Sequence, residues 1–559
     1  MAPERIDTEV AVVGSGPAGI VVALELARRR HRVTLIESGG RRFDPVVQEL
    51  GEMAGGDPLH VSASLSTRRQ LGGASNLWGG RCVPFDPIDF EPRGIVGDTR
   101  WPLSYEEIAP YLARACAWCR CGSARFDAGE IPTLVDRSIV PGFVDGDVRA
   151  SALERWSLPT NFWQEYGNEL RGSPTLRLRT GLTCVEIVAR REDARSSVEF
   201  LRARELNGRE VQVRASRYVI AGGGLETTRL LFASEIAHPG GIGNHSGHLG
   251  HWYMAHVEAR IACVRFDTPP DQTIYGHERD SDGVYVRRRF TLSPEAQAAA
   301  GLPNAALWMV NPEIADDSHR SAILSFVFLA LASPLGRYFV AEGIRREHLK
   351  WSRRPSIAAH LRNVAAGLGE AAAFALRFGY GRYLRRGRKL PGFFVRSATN
   401  VYPLLYHGEH LPHFESTALP SGDRDALGMP RLQTKLRFGE ADVQAVRRAH
   451  EVLDRSLHDQ GLGRVEFIAS DIEGTVRKQL FGGYHQAGTT RMSARPEYGV
   501  VNPNLAVHGF DDLFLASSST FPTSGQANST LMLIAFSARL ADHVSADLRE
   551  HPTRTTVAT

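Results

Sequence analysis

Cysteine is scarce in this chain, with six residues among 559, too few for a disulfide scaffold. Cys116, Cys119 and Cys121 stand close together in a segment that reads as helix, and Cys82, Cys184 and Cys263 are scattered. No second matched ligand spacing accompanies them, so free thiols in a reducing compartment are expected rather than a metal centre. Net charge is small as well: 66 basic against 62 acidic residues leave +4, which makes no whole-molecule case for nucleic acid. Long apolar runs are missing. The most apolar later run, Ala322 to Ala332, is too short for a bilayer span of about 20 residues. The opening MAPERIDTEVAVVG has no basic stretch followed by an apolar one, so it does not read as a secretory leader. A soluble, cytoplasmic protein with no integral membrane segment is expected.

Apart from these shortages the composition is that of a globular protein, 43% hydrophobic and 23% charged, and the length suits two or three domains. The first forty residues carry a strand–turn–helix–strand pattern. Val10 to Val13 is a short β-branched run, Gly14-Ser15-Gly16-Pro17-Ala18-Gly19 follows, Ile20 to Arg29 has helical apolar spacing, and His31 to Ile36 is a second strand ending at Glu37. This is the βαβ opening of a doubly wound parallel sheet. Within it, Gly14 permits a tight turn, Gly16 lets backbone approach a pyrophosphate, and Gly19 lets helix and strand pack closely. The helix N-terminus offers free N–H groups and a positive dipole end to the anion. Glu37, 18 residues after Gly19, is placed to accept from ribose hydroxyls.

Further along, Ser104 and Glu107 form a capping box before a helix, residues 175–222 alternate in short strands, 440–460 read as helix, and Thr530 to Leu548 as a last helix. Strands of the nucleotide domain therefore recur near 180–220 and 513–516. The expected architecture is α/β, a Rossmann-like FAD-binding domain assembled from separated segments with an inserted α+β substrate domain of antiparallel sheet and helices. The boundaries expected are 1–98, 175–262 and 476–559 for the cofactor domain, the last also catalytic, and 99–174 and 263–475 for the substrate domain. A helical insertion occupies about 320–390.

Other glycine-rich segments follow the first: Gln70-Leu71-Gly72-Gly73-Ala74-Ser75-Asn76-Leu77-Trp78-Gly79-Gly80, then Ala221-Gly222-Gly223-Gly224 after a strand. Gly247-His248-Leu249-Gly250 precedes Met254 and His256, and Gly483-Tyr484-His485-Gln486-Ala487-Gly488 and Gly525-Gln526-Ala527-Asn528-Ser529-Thr530 come late. In this order the motifs resemble the glucose–methanol–choline (GMC) family of FAD-dependent oxidoreductases over essentially the whole chain. The 483–492 segment resembles its sugar-oxidising branch, near pyranose oxidase and the actinobacterial aminoglycoside dehydrogenases and oxidases.

The resemblance implies FAD, with Gly14, Ser15, Gly16, Gly19, Glu37, Gly73, Asn76, Val185, Gly222, Ser518, Ser529 and Thr530 holding it. Leu77 stands where pyranose oxidase-like relatives carry the histidine that bonds FAD, so non-covalent FAD is expected. His485 matches the family's catalytic histidine, the base that takes the hydroxyl proton as hydride leaves carbon for flavin N5. Asn528 matches the second position of the pair and is also a possible helix N-cap; Ser529 replaces the proline often found next. His256 reads as structural. Thr489, Thr490 and Arg491 read equally as substrate-positioning or supporting residues, and Trp78 as pocket lining or core.

The substrate expected is a small alcohol, sugar-like or an aminoglycoside, with O2 or another electron acceptor. Glu409, Glu415, Asp423 and Asp425 are candidates to meet a cationic aminosugar, or loop charges. A sterol, polyketide or aliphatic alcohol is the alternative substrate, and a flavin-binding lyase without net redox the alternative class. The 320–390 insertion carries Arg377, Arg382, Arg385, Arg386 and Arg388 among apolar residues. Such a stretch can lie on an anionic membrane or a partner. The reading favoured here is helices packed on the substrate domain with a solvated basic face; a homodimer contact or a lid is the alternative.

Overall fold

A computed structural model describes residues 3–97, 99–192, 195–340, 342–349 and 355–551. Its centre is a five-stranded parallel sheet in the order Leu513–Leu515, Arg217–Ile220, Val10–Val13, Val33–Glu37 and Leu176–Thr180. The first four of these strands are almost entirely buried, as a parallel sheet covered on both faces requires, while the edge strand Leu176–Thr180 buries only Leu176. The helices Pro17–Arg28 and Thr530–Glu550 pack against each other beside it, each lined by alanine, leucine, isoleucine and valine. Chain segments some 500 residues apart thus complete one core.

The strands expected over 175–222 divide between two sheets. Only Leu176–Thr180 and Arg217–Ile220 belong to this one. Thr183–Glu192, Arg195–Arg204 and Glu210–Arg214 form a separate sheet with Glu4–Asp7. Their alternation of buried and exposed residues suits a sheet with one wet face rather than a fully covered parallel one.

A second core lies under a six-stranded antiparallel sheet, ordered Gly463–Phe467, His256–Phe266, Val401–Glu409, Ala305–Met309, Phe290–Leu292 and Val148–Arg149. The helix Glu440–Asp459 covers one face with Val443, Val446, Ala449 and Leu453. The insertion folds as the helices Ala322–Ala332, Glu342–Leu349, Ile357–Ala366 and Leu368–Gly379. It has a small core of its own around Leu324, Phe328 and Leu331. The capping box of Ser104 and Glu107 is present, and the helix Leu112–Cys119 ends before Cys121. All six cysteines are free. Cys82 is not isolated: it packs with Cys116, Cys119 and Cys121 in the main core.

Candidate functional site

The dinucleotide turn is built as its glycines require. Gly14 has φ +97°, and a Cβ there would lie 2.5 Å from the Ala221 carbonyl oxygen, so no larger residue fits between the two neighbouring strands. The Gln70–Gly80 loop lies directly on this turn: Gly72 N–H donates to the Ser15 carbonyl at 3.0 Å, and a Cβ on Gly73 would come within 2.6 Å of Gly16 Cα. Asn76 Nδ2 donates to the Leu71 and Gly73 carbonyls, and Asn76 Oδ1 accepts from Asn161, which fixes the loop's shape. Glu37 is buried. One carboxylate oxygen accepts from Ser15 N–H and Oγ–H, the other from Gly39 N–H.

Gly222 precedes the helix Gly224–Phe232, whose first turn is capped by Gln486 Oε1 accepting from Leu225 N–H at 3.0 Å. Ser518 Oγ donates to the Gln486 carbonyl, so Ser518 holds the catalytic-candidate loop. Ser529 and Thr530 open the last helix, and Ser529 is its N-cap without a side-chain bond. This corrects the alternative in which Asn528 caps that helix: its side chain turns to His485 instead. Val185 is buried in the strand Thr183–Glu192, in the neighbouring sheet.

His485 sits in a loop fastened at both ends. Gly482 N–H donates to the Leu59 carbonyl, and Met254 and Ala487 exchange backbone bonds. Gly483 has φ +107°, with a Cβ position 2.5 Å from the His60 ring, so the chain passes His60 only as glycine. His485 Nε2 faces Asn528 Nδ2 at 2.8 Å, and His485 Nδ1 faces His256 Nδ1 at 2.9 Å. An amide nitrogen can only donate. With the amide so oriented, His485 Nε2 is the acceptor, its proton sits on Nδ1, and His256 Nδ1 accepts it. His256 therefore touches the candidate base directly, which corrects its reading as a purely structural residue.

The arrangement includes residues that no sequence motif announced. His407, on the strand Val401–Glu409, stacks on His256 with ring centres 4.5 Å apart and donates Nδ1–H to the Gln526 carbonyl. Arg81 and Arg287 share the buried Glu154 carboxylate, and both lie against the Trp308 ring, 4.4 and 4.8 Å from its centre. Arg289 donates to Gln526 Oε1 at 2.7 Å. The signal available for Arg81 was its position directly after the second glycine loop; His407, Glu154 and Arg287 come from strands with no local pattern beyond alternation.

Burial, and then the Arg81 guanidinium, push His485 down to about 4. Burial, joined by its histidine neighbours and Arg81, holds His256 and His407 well below the ordinary histidine range. All three rings are thus neutral near pH 7, with a lone pair available. One nitrogen of each lies within 4.8 Å of the others, yet the nearby arginine opposes a bound cation.

Of the remaining candidates, Thr489 shares a hydrogen bond with Thr228, Thr490 with Ser519, and Arg491 lies over Trp252. All three support the loop from behind. Trp78 packs on Phe162 and donates to the Thr160 carbonyl. Glu409 and Asp425 are committed to Arg93 and Arg229, while Glu415 and Asp423 are exposed, which removes the two buried acids as partners of a cationic sugar. A cavity of about 530 Å³ lined by Arg41, Trp163, Arg171, Arg177 and Thr180 opens at the nucleotide end, since Thr180 is the register partner of Glu37. It includes none of the histidines.

Known proteins match two segments of the sequence, and solved structures share the fold. Residues 418–537 match the family described as GMC oxidoreductase, and residues 12–43 the NAD(P)-binding Rossmann-like domain. Over residues 418–537 the chain is thus similar to the GMC oxidoreductases. Among curated relatives, 2-methyl-1,2-propanediol dehydrogenase of Mycolicibacterium austroafricanum is 24% identical, covering 98% of this chain and 96% of the relative. Paromamine 6'-oxidase of Streptomyces fradiae is 27% identical over 48% of this chain and 57% of its own length. The fold is that of pyridoxine 4-oxidase from Mesorbium loti, with TM-score 0.51, 17% identity and coverage of 96% of this chain and 99% of that one. The chain is of mixed α/β fold with a Rossmann-like cofactor region, and it resembles FAD-binding oxidoreductases whose named members act on alcohols. Its residues fit that cofactor. The stacked Gly16 and Gly73 leave backbone, not side chain, at the pyrophosphate turn, and Asn528 Oδ1 is buried without a hydrogen-bond partner. No helix among the described residues is long and apolar enough to cross a membrane.

Proposed function

We propose that this enzyme dehydrogenates a hydroxyl of a small polyhydroxylated, sugar-like substrate, with His485 as the base. The observation that carries the proposal is the convergence of His485 Nε2 and Asn528 Nδ2 at 2.8 Å at the meeting of the glycine loops and the six-stranded sheet. A substrate oxygen that breaks this bond and takes its place donates its proton to Nε2 and accepts from the Asn528 amide. His256 holds the Nδ1 proton of His485, so only Nε2 is basic. FAD, when bound, supplies the acceptor for the hydrogen leaving carbon as hydride to N5. Burial and Arg81 keep His485 deprotonated at rest, so it is ready to accept a proton at neutral pH.

The cofactor set proposed is Gly14, Ser15, Gly16, Gly19 and Gly73 at the pyrophosphate, Glu37 at the ribose, and Asn76, Val185, Gly222 and Ser518 around them. The first-turn N–H groups at Ser529 and Thr530, with no side-chain cap, offer a positive helix end to the flavin's anionic edge. Non-covalent attachment follows from Leu77. The sugar preference is supported by the aminoglycoside-oxidising relatives and by the polar side chains of Asn528 and His256 against His485. The test is anaerobic titration of the yellow enzyme with sugars, aminoglycosides, sterols and simple alcohols. Bleaching of the flavin band by the sugar class, lost in His485→Ala with FAD retained, is expected. Reduction by sterols alone would reject the substrate, and undiminished reduction in His485→Ala would reject the base.

A further inference from the structure

We propose that the insertion is a docking surface for an anionic lipid bilayer, on which the enzyme lies without crossing it. Between residues 335 and 389 the sequence has 13 lysines and arginines against three acidic residues, a net +10, whereas the whole chain carries +4; the other 504 residues together carry −6. The charge that looked small for the molecule is strongly segregated. Long-range attraction to a negative surface depends on this local excess and not on the total.

The same stretch holds the exposed apolar side chains. Leu335, Tyr338, Phe339, Ile357, Leu361, Leu368, Leu376, Tyr380, Tyr383 and Leu384 are half of the large hydrophobic residues that reach solvent among those described. They are ordered along the helices. On Leu368–Gly379, Leu368, Ala372 and Leu376 follow at four-residue intervals and continue into Tyr380 and Leu384, which makes one stripe. Leu376 is 77% exposed and Leu384 74%. On Ile357–Ala366, Ile357, Leu361 and Ala365 make a second stripe. Both helices pack on Ala322–Ala332 through other residues, including buried His360 and Ala371. Two stripes facing water cost stability unless something apolar receives them.

Arginines flank the stripes. Arg337, Arg362, Arg377 and Arg386 are exposed, and Arg377, Arg382 and Arg388 donate to backbone carbonyls. Glu342 pairs with both Arg345 and Arg346, and the net excess of the segment remains +10 after its three acidic residues are counted. Leucines and tyrosines beside arginines are the composition of a helix lying in a lipid interface, where the tyrosine rings bridge hydrocarbon and headgroups. A second copy of the chain is disfavoured as occupant, because two faces of net +10 would repel. An anionic bilayer supplies both the negative charge and a deformable apolar layer.

The experiment is flotation of full-length, FAD-loaded enzyme with vesicles of phosphatidylcholine alone or mixed with phosphatidylglycerol, at low and high salt. Binding only to the mixed vesicles, weakened by salt, is expected. The triple change Arg377→Glu, Arg385→Glu, Arg386→Glu should weaken it about a hundredfold or more, at roughly 1 kcal/mol per basic residue. Leu376→Ser with Leu384→Ser should weaken binding with the charge intact. The flavin spectrum and turnover of a soluble substrate, unchanged in both variants, report that each is folded. Absence of binding to mixed vesicles overturns the proposal. So does a dimer by light scattering that Leu376→Ser, Leu384→Ser converts to monomer, or equal binding to both vesicle types. Binding to an acidic polypeptide without binding to vesicles would assign the face to a protein partner and overturn it too.

Discussion

His485 Nδ1 and His256 Nδ1 face each other at 2.9 Å, a separation at which one nitrogen must carry a proton and the other must not. The Asn528 amide on the opposite nitrogen of His485 decides which. His485 is thereby fixed in one tautomer, with its lone pair at Nε2. His256→Phe keeps a ring against His407 and removes the acceptor, so both tautomers of His485 become accessible. Anaerobic stopped-flow should show flavin reduction slowed about tenfold, against about 10²–10⁴-fold for His485→Ala. A His256→Phe enzyme as fast as the parent would mean that the contact does not orient the base.

Under the proposed function Asn528 has a second task, donating to the substrate oxygen. Asn528→Ala removes that donor, while Asn528→Asp replaces it with an acceptor and a negative charge. The aspartate should be the slower enzyme. Its charge favours protonated His485, so activity should also recover further as pH rises. If alanine and aspartate behave alike at every pH, the amide's donor role is wrong.

Arg81 offers a way to move the base's titration without touching it. His485 is held at about 4, by burial first and by Arg81 second. The acid limb of kcat/KM should therefore fall well below pH 6.5, the ordinary histidine value. Removing the cation in Arg81→Gln favours the charged imidazole, so the limb should move up in pH, with the largest loss of rate between pH 5 and 6. Glu154 keeps Arg287 as partner in that variant, which guards against a stranded carboxylate. A limb that stays in place would show that another group titrates in the profile.

Much of this was readable in the sequence where function is local. The Gly14–Gly19 turn, its strand and helix, and Glu37 lie within one βαβ unit, so spacing alone placed them. Gly483, His485 and Asn528 were legible through resemblance, because short loops keep their chemistry in consecutive residues. His407, Arg81, Arg287 and Glu154 were not, since each sits on a different strand and they meet only when the antiparallel sheets form. His256 was seen but given a structural role, for its contact with His485 spans 229 positions. The separate sheet of Thr183–Glu192, Arg195–Arg204 and Glu210–Arg214 is not legible for the same reason: alternation shows that a strand has one wet face, not which sheet it joins.

The last prediction concerns stability. His450, in the helix Glu440–Asp459, is fully buried between Tyr406 and Phe467 and donates Nδ1–H to the Val446 carbonyl. Burial holds it at about 4, against 6.5 for the free side chain. As pH falls, the unfolded chain takes up this proton first, so the contribution present above pH 6.5 is lost progressively down to about pH 4 and is constant below. The shift corresponds to about 3 kcal/mol. His450→Phe should retain the packing and remove that part of the acid slope. Denaturant unfolding at pH 7 and pH 4.5 should show a smaller difference for the variant than for the parent. Part of the slope should persist in both, because His277 is likewise pushed by burial to about 3. An unchanged slope would mean that His450 does not remain neutral in the folded protein.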